Sequence, residues 1–158
     1  MTNLYSLARS KLHKKQSHKE NSESGIVAVE FALILPVLML IFIATIEAGL
    51  IMYDYIIITN ASREGARWGI ISDNNPGGLA WSCSGTGTTP TTPCGVANNF
   101  ASTLLISYAS TNLPSTTATG GGTPGSTVTV TTTYPYSGIG TIAFGNFNLV
   151  AISKMNYE

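Results

Sequence analysis

An apolar run from Ile26 to Ile58 constrains this chain more than any other feature. It is interrupted by Glu30, Pro36, Thr45, Glu47, Gly49 and Asp54, and the stretch Phe31–Ile46 carries no charge. A helix starting at Ile26 reaches Glu47 after roughly 31 Å at the standard rise, which matches a bilayer core of about 30 Å. Glu47 then falls near the far interface, where its carboxylate can be hydrated. Tyr53 and Tyr55 follow just outside it, near an aromatic-belt position. The run is too long for the apolar part of a cleaved signal peptide, and no small-x-small cleavage site clearly follows it. A buried core helix is excluded on size: the rest of the chain is too small and polar to cover it. Small pairs at spacing four, Ala44/Ala48 and Thr45/Gly49, permit close helix–helix contact in lipid, although such residues are common in membrane helices generally.

Charge gives the orientation. The chain has eight Lys/Arg and eight Asp/Glu. Residues 1–25 hold Arg9, Lys11, Lys14, Lys15 and Lys19 against Glu20 and Glu23, whereas after Arg67 only Asp73, Lys154 and Glu158 are charged. By the positive-inside rule the basic head stays in the cytoplasm and the C-terminal part crosses. No basic face is left on the folded part, so a nucleic-acid partner is not expected.

The boundary between head and apolar run reads Gly25-Ile26-Val27-Ala28-Val29-Glu30. A lone Gly-x-x-x-x-Glu is common by chance; one placed where a basic segment turns apolar is far more specific. It resembles the cleavage site of type IV prepilins and pseudopilins. That resemblance implies a cut between Gly25 and Ile26 by a membrane-embedded prepilin peptidase. Cutting would place a new α-amino group on Ile26, and Glu30 lies about 6 Å further along the helix, inside the apolar layer. An acid within a membrane segment is a functional hypothesis by default. The partner the resemblance implies is the free amine of a neighbouring subunit; the alternative is that Glu30 only snorkels to the headgroups.

Residues 25–41, GIVAVEFALILPVLMLI, and the later block Asn60-Ala61-Ser62-Arg63-Glu64-Gly65-Ala66-Arg67 sharpen the comparison. They resemble the TadE-like family, minor pseudopilins of the tight-adherence (Tad/Flp) pilus, whose block reads N-A-x-R-E-G-A-R. The strong likeness covers roughly residues 25–68; Thr127–Tyr134 and the final LVAISKMNYE resemble the family's closing strands only loosely, and residues 72–125 carry no recognisable motif. The resemblance implies a role in building or initiating a thin adhesive pilus at the bacterial inner membrane. It also implies as partners a prepilin peptidase, TadE-, TadF- or TadG-like subunits, the Flp pilin, the inner-membrane pilus platform and membrane lipid.

On a continuing helix, Asn60, Glu64 and Arg67 lie near one face, and Glu64 and Arg67 can pair weakly. Ala61, Gly65 and Gly69 form a small-residue stripe at spacing four. Two interior glycines cost a helix about 1 kcal/mol each against Ala, so something is expected to pack closely there: the β region or a partner subunit, with Arg63 and Arg67 reaching polar groups on it. The alternative is a solvated helix end with an ordinary salt bridge.

Three segments are expected: a basic leader over 1–25, a transmembrane and extended helix over 26–71, and a small exported α+β domain over 72–158. The helix should end near Ile71–Asn75, where Ser-Asp-Asn-Asn-Pro-Gly-Gly supplies breakers. Residues 82–133 contain 23 Ser/Thr, too polar for a deep core, so a thin layer on the exported half of the helix is expected. Val96, Phe100, Leu104, Leu105 and Tyr108 recur at helical spacing and predict a short helix over Val96–Asn112. Pro114–Gly125 reads as a flexible loop. Val128 and Val130 alternate with Thr127, Thr129 and Thr131, the period of a half-buried strand; Phe147, Leu149, Ala151, Met155 and Tyr157 give a second, and together they predict a C-terminal antiparallel β-hairpin or small sheet.

Cys83 and Cys94 can form a disulfide if their region is exported, and two free thiols or half of a metal site remain alternatives. Both histidines, His13 and His18, fall in the head, so no catalytic Ser/His/Asp or Cys/His set can assemble outside it. Gly120-Gly121-Gly122 is followed by Thr-Pro and lacks the Lys of a phosphate-cradling loop. No enzyme activity, cofactor or metal is expected. The competing function is an uncleaved, membrane-anchored adhesive or binding module, which would need neither Gly25 nor Glu30.

Overall fold

The computed structural model describes residues 3–71, 74–75, 77–106, 112–138 and 145–157, with backbone alone for 3–24. It is α+β: a long N-terminal helix, a short helix and a four-stranded antiparallel sheet, as the sequence predicts. Two compact units result, 1–45 and 46–158.

Helix α1 runs Asn3–Gly69 and passes through Pro36. In the first unit the apolar side chains from Ile26 onward are all exposed, Leu33 at 73% and Leu40 at 68%. Gly25–Gly69 is long and apolar enough to cross a membrane, with a mean hydropathy of 2.9 in its most apolar window and no burial of that window within the chain.

In the second unit, α1 is followed by β1 (Trp81–Gly85), α2 (Pro93–Leu104), β2 (Ser115–Gly120), β3 (Thr127–Tyr136) and β4 (Phe147–Asn156), and the strands lie in the order β1-β2-β3-β4. The β3–β4 hairpin is paired from Thr127↔Asn156 to Tyr136↔Phe147. One sheet face packs on α1 and α2. Its core is built of small residues, Ala61, Ala66, Ala97, Ala101 and Ala118 around Val128 and Val130, with a second cluster of Ile58, Tyr134, Tyr136 and Ala151. Small side chains let the elements approach closely, so a modest apolar inventory still fills the layer.

Three details depart from the expectation. The short helix begins at Pro93, because Thr92 caps it: its hydroxyl accepts from the Gly95 N–H at 3.1 Å, and Pro93 occupies the first helical position, both strong start signals. It ends at Leu104; Tyr108 lies outside the described residues. Pro114–Gly125 is not a loop throughout, since Ser115–Gly120 is β2. Its inward residues are Thr116 and Ala118 rather than large apolar ones, so the alternation is hidden in composition. The turn that follows does need glycine, with φ of +89°, +81° and +87° at Gly120, Gly121 and Gly122, a region that residues with a Cβ rarely enter. Finally, α1 stops at Gly69, just before the expected breakers, of which Ser72, Asp73 and Pro76 lie outside the described residues. Trp81 Nε1 donates to the Gly69 carbonyl at 2.8 Å and Asn74 Nδ2 to the Trp68 carbonyl at 2.9 Å, meeting acceptors that a helix end leaves open.

Strand β3 descends beside α1 in a regular register. Val128 faces Gly69, Val130 faces Gly65, Tyr134 packs with Ile58, and Gly138 meets Glu47. The match is metrical: Glu47 to Gly69 at about 1.5 Å per residue and Val128 to Gly138 at about 3.3 Å per residue both span roughly 33 Å. Each helical turn of α1 therefore meets about 1.6 residues of strand.

Candidate processing and assembly sites

The processing segment lies in the first unit. Gly25, Ile26 and Glu30 are consecutive parts of α1 and all are exposed. A Cβ at Gly25 would meet nothing within 4 Å. Among the described residues of this unit nothing covers the Glu30 side of the helix. What the arrangement can do chemically is offer one carboxylate, about a turn from Ile26, to another molecule.

The Asn60–Arg67 block has two faces. Ala61, Ser62, Gly65, Ala66 and, one turn on, Gly69 are buried. A Cβ at Gly65 would stand 2.6 Å from the Pro93 carbonyl oxygen and 3.0 Å from Ala97 Cβ; one at Gly69 would stand 2.9 Å from Pro93 Cγ. The small-residue stripe is thus filled by α2 and β3 of the same chain. Asn60, Arg63, Glu64 and Arg67 are exposed on the other side. Helical spacing turns Arg63 and Arg67 away from the stripe, and with Asn60 and Glu64 they form an exposed polar face among the described residues.

Cys83 and Cys94 are joined in a disulfide with Cα atoms 6.2 Å apart, tying β1 to the first turn of α2. The cleft beside it, about 160 Å³, is lined by Ser84, Thr89, Thr91, Thr92, Asn98 and backbone. Asn98 is fully buried. Its Nδ2 donates to the carbonyls of Gly85 and Gly87 at 2.7 and 2.9 Å, and its Oδ1 accepts from Thr116 at 2.7 Å. Thr116 in turn lies 3.1 Å from the Thr132 hydroxyl. This network turns a polar layer into a satisfied core. No group of three or more His, Cys, Asp or Glu comes together among the described residues.

Sequence reasoning missed Asp54. It is fully buried, and one of its oxygens accepts from the Ile106 N–H at 3.1 Å, while Oδ2 is buried with no hydrogen bond among the described residues. Burial raises the carboxyl's pKa from its ordinary value, and the Ile106 hydrogen bond opposes that rise. Around it, Tyr53 donates to the Leu104 carbonyl and Tyr134 to the Ile106 carbonyl, so the exit of α2 is pinned to α1 and β3. A signal was present: Asp54 precedes Ile58 and Ala61 by four and seven residues, which places it on the inward face of a helix.

Fold and site together suggest a single-pass membrane anchor carrying a small α+β unit. A family model described as TadE-like protein matches residues 25–67, and over that stretch the chain is similar to TadE-like proteins, on the residues where the resemblance was expected. No curated protein and no solved structure matches the chain.

Proposed function

We propose that this chain is a minor pseudopilin-like subunit that helps assemble a tight-adherence pilus, and that it is processed after Gly25. The observation that carries the reading is the Gly25–Glu30 pattern at the charge-to-apolar boundary, inside the stretch that matches the TadE-like family. The family match suggests a Tad pilus-associated subunit; the finer role rests on the motif. A charge at the bilayer centre costs roughly 2.5–3.5 kcal/mol, and less near the edge. Glu30 is relieved of that cost if the amine of a neighbour's Ile26 approaches it. In this reading the partners are a prepilin peptidase, sibling TadE-, TadF- or TadG-like subunits, the Flp pilin and the inner-membrane platform. The basic head faces the cytoplasm and the α+β unit lies outside.

The deciding experiment is the intact mass of the protein purified from its native membrane. A chain beginning at Ile26 is expected. A chain still carrying the leader would favour the uncleaved anchor and end the pseudopilin reading.

A further inference from the structure

The exposed charges of the folded unit gather at one end, and the end beside Glu47 exposes apolar side chains with no exposed charge among the described residues. Among the described residues of this unit the exposed charges are Arg63, Glu64, Arg67 and Lys154. The first three lie roughly four to six turns beyond Glu47. Lys154 is paired with Thr129, at the level where β3 faces Gly65 and Gly69. At the opposite end Leu104 (41%), Ile106 (40%), Leu113 (52%) and Phe147 (41%) are exposed.

The register of β3 on α1 fixes their height. Gly138 is so close to Glu47 that a Cβ there would overlap the Glu47 carboxylate oxygen. Tyr136, two residues earlier, pairs with Phe147, and their ring centroids are 5.3 Å apart. Phe147 therefore stands about 7 Å above the level of Glu47 at the strand rise. Leu113 precedes Ser115, which pairs with Thr133, and Leu104 and Ile106 are held at Tyr53 and Asp54. The headgroup layer on one side of a bilayer is about 6 Å deep, and aromatic rings favour that layer. If the part of the helix inside the bilayer core ends at Glu47, Phe147 meets the headgroups and the other three side chains stand just above them.

We infer that this end of the unit is a lipid-contact surface: Phe147, flanked by Leu104, Ile106 and Leu113, rests on the outer headgroup layer and holds the α+β unit down on the membrane that α1 crosses. The occupant is lipid because the surface lies beside the Glu47–Asp54 part of α1 and carries no exposed charge among the described residues, whereas the far end, which also exposes Ile71 and Leu79, carries Arg63, Glu64, Arg67 and Lys154. The inference rests on the membrane-span reading of α1 and is independent of cleavage after Gly25.

The test uses the full chain in nanodiscs of phosphatidylethanolamine and phosphatidylglycerol. Photoreactive p-benzoylphenylalanine replaces Phe147, Leu113, Phe42 or Lys154, one at a time, and lipid adducts are read by intact mass. Phe42 reports the span and Lys154 the far end; Leu113 decides if the Phe147 variant fails to form its disulfide. Lipid adducts are expected at 42 and at 147 or 113, with none above background at 154. Adducts at 42 alone, or cross-links from 147 and 113 to a second protein copy in place of lipid, would overturn the inference and leave the span intact. Absence of adducts at 42 would overturn both.

Discussion

Gly65 lies so close to Pro93 that a Cβ on the glycine would stand 2.6 Å from the proline's carbonyl oxygen. Helix α1 and the first turn of α2 are in backbone contact there, and the atom that must give way is main chain. Overpacking of this kind costs about 1–3 kcal/mol, against a helix-propensity gain of about 1 kcal/mol for Gly→Ala. Gly65→Ala should therefore lower the melting temperature of the detergent-solubilised protein, and Gly65→Leu should lower it far more. Gly49, where a Cβ would meet nothing within 4 Å, is the control, and Gly49→Ala should melt at or above the wild-type temperature. A Gly65→Ala protein as stable as wild type would show that the contact is loose.

The disulfide should matter because it joins two elements of a thin layer. Its cysteines are 11 residues apart, and closing such a loop stabilises a fold by about 3 kcal/mol on the chain-entropy model. Cys83→Ser with Cys94→Ser is expected to shift the urea midpoint down by a matching amount, and reductant should do the same to the wild type. An unchanged midpoint under reductant would mean that β1 contributes little to the cooperative unit.

Asn98 joins the Gly85 and Gly87 carbonyls to Thr116. At about 1 kcal/mol per net hydrogen bond, with a further penalty for buried groups left unpaired, Asn98→Ala should cost roughly 3 kcal/mol or more. Asn98→Asp keeps the acceptor for Thr116 but loses both donations, so it should be no better. Urea titration of the two variants tests this, and a loss well under 1 kcal/mol for Asn98→Ala would mean that water replaces the side chain.

These residues also mark where the sequence was legible. The apolar run, the two strands of the β3–β4 hairpin and the small-residue stripe announce themselves through period and composition, because large apolar or uniformly small residues recur at fixed spacing. Strand β2 does not, since its inward positions are Thr116 and Ala118 and its burial depends on Asn98, eighteen residues from Thr116. Periodicity cannot see a partner supplied by another element. Asp54 was legible only in part: its spacing from Ile58 and Ala61 puts it on the inward face, but the N–H it accepts from belongs to Ile106, on another segment. The Thr92-Pro93 cap, by contrast, was local and readable.

Asp54 predicts a pH dependence. It lies about 10 Å beyond Glu47 along α1, outside the apolar span. Burial raises its folded-state pKa, with the Ile106 N–H pulling the other way. An acid whose pKa is higher folded than unfolded contributes stability that is fully present below the unfolded value, about 3.9, and is lost as pH rises through the folded value. The wild type should therefore lose stability relative to Asp54→Asn as pH climbs from about 4 towards neutrality. Asparagine keeps an acceptor for the Ile106 N–H, and comparing the two proteins removes every contribution they share. Denaturation across that range checks it, and parallel curves for the two proteins would sink it.

The last prediction concerns Glu30, exposed on a helix where no described residue of its own unit covers it. If its role is to meet an amine freed at Ile26 of a neighbour, charge is what counts, not shape. Glu30→Gln, nearly isosteric, should then fail as badly as Glu30→Ala in surface adhesion and in pilus count by electron microscopy. Glu30→Asp should keep part of both, since the carboxylate recedes by only one methylene. Intact mass separates the causes. All three variants should still begin at Ile26, because the carboxylate acts after the cut. Normal appendages in Glu30→Gln bacteria would refute the amine–carboxylate pairing, even with the leader removed.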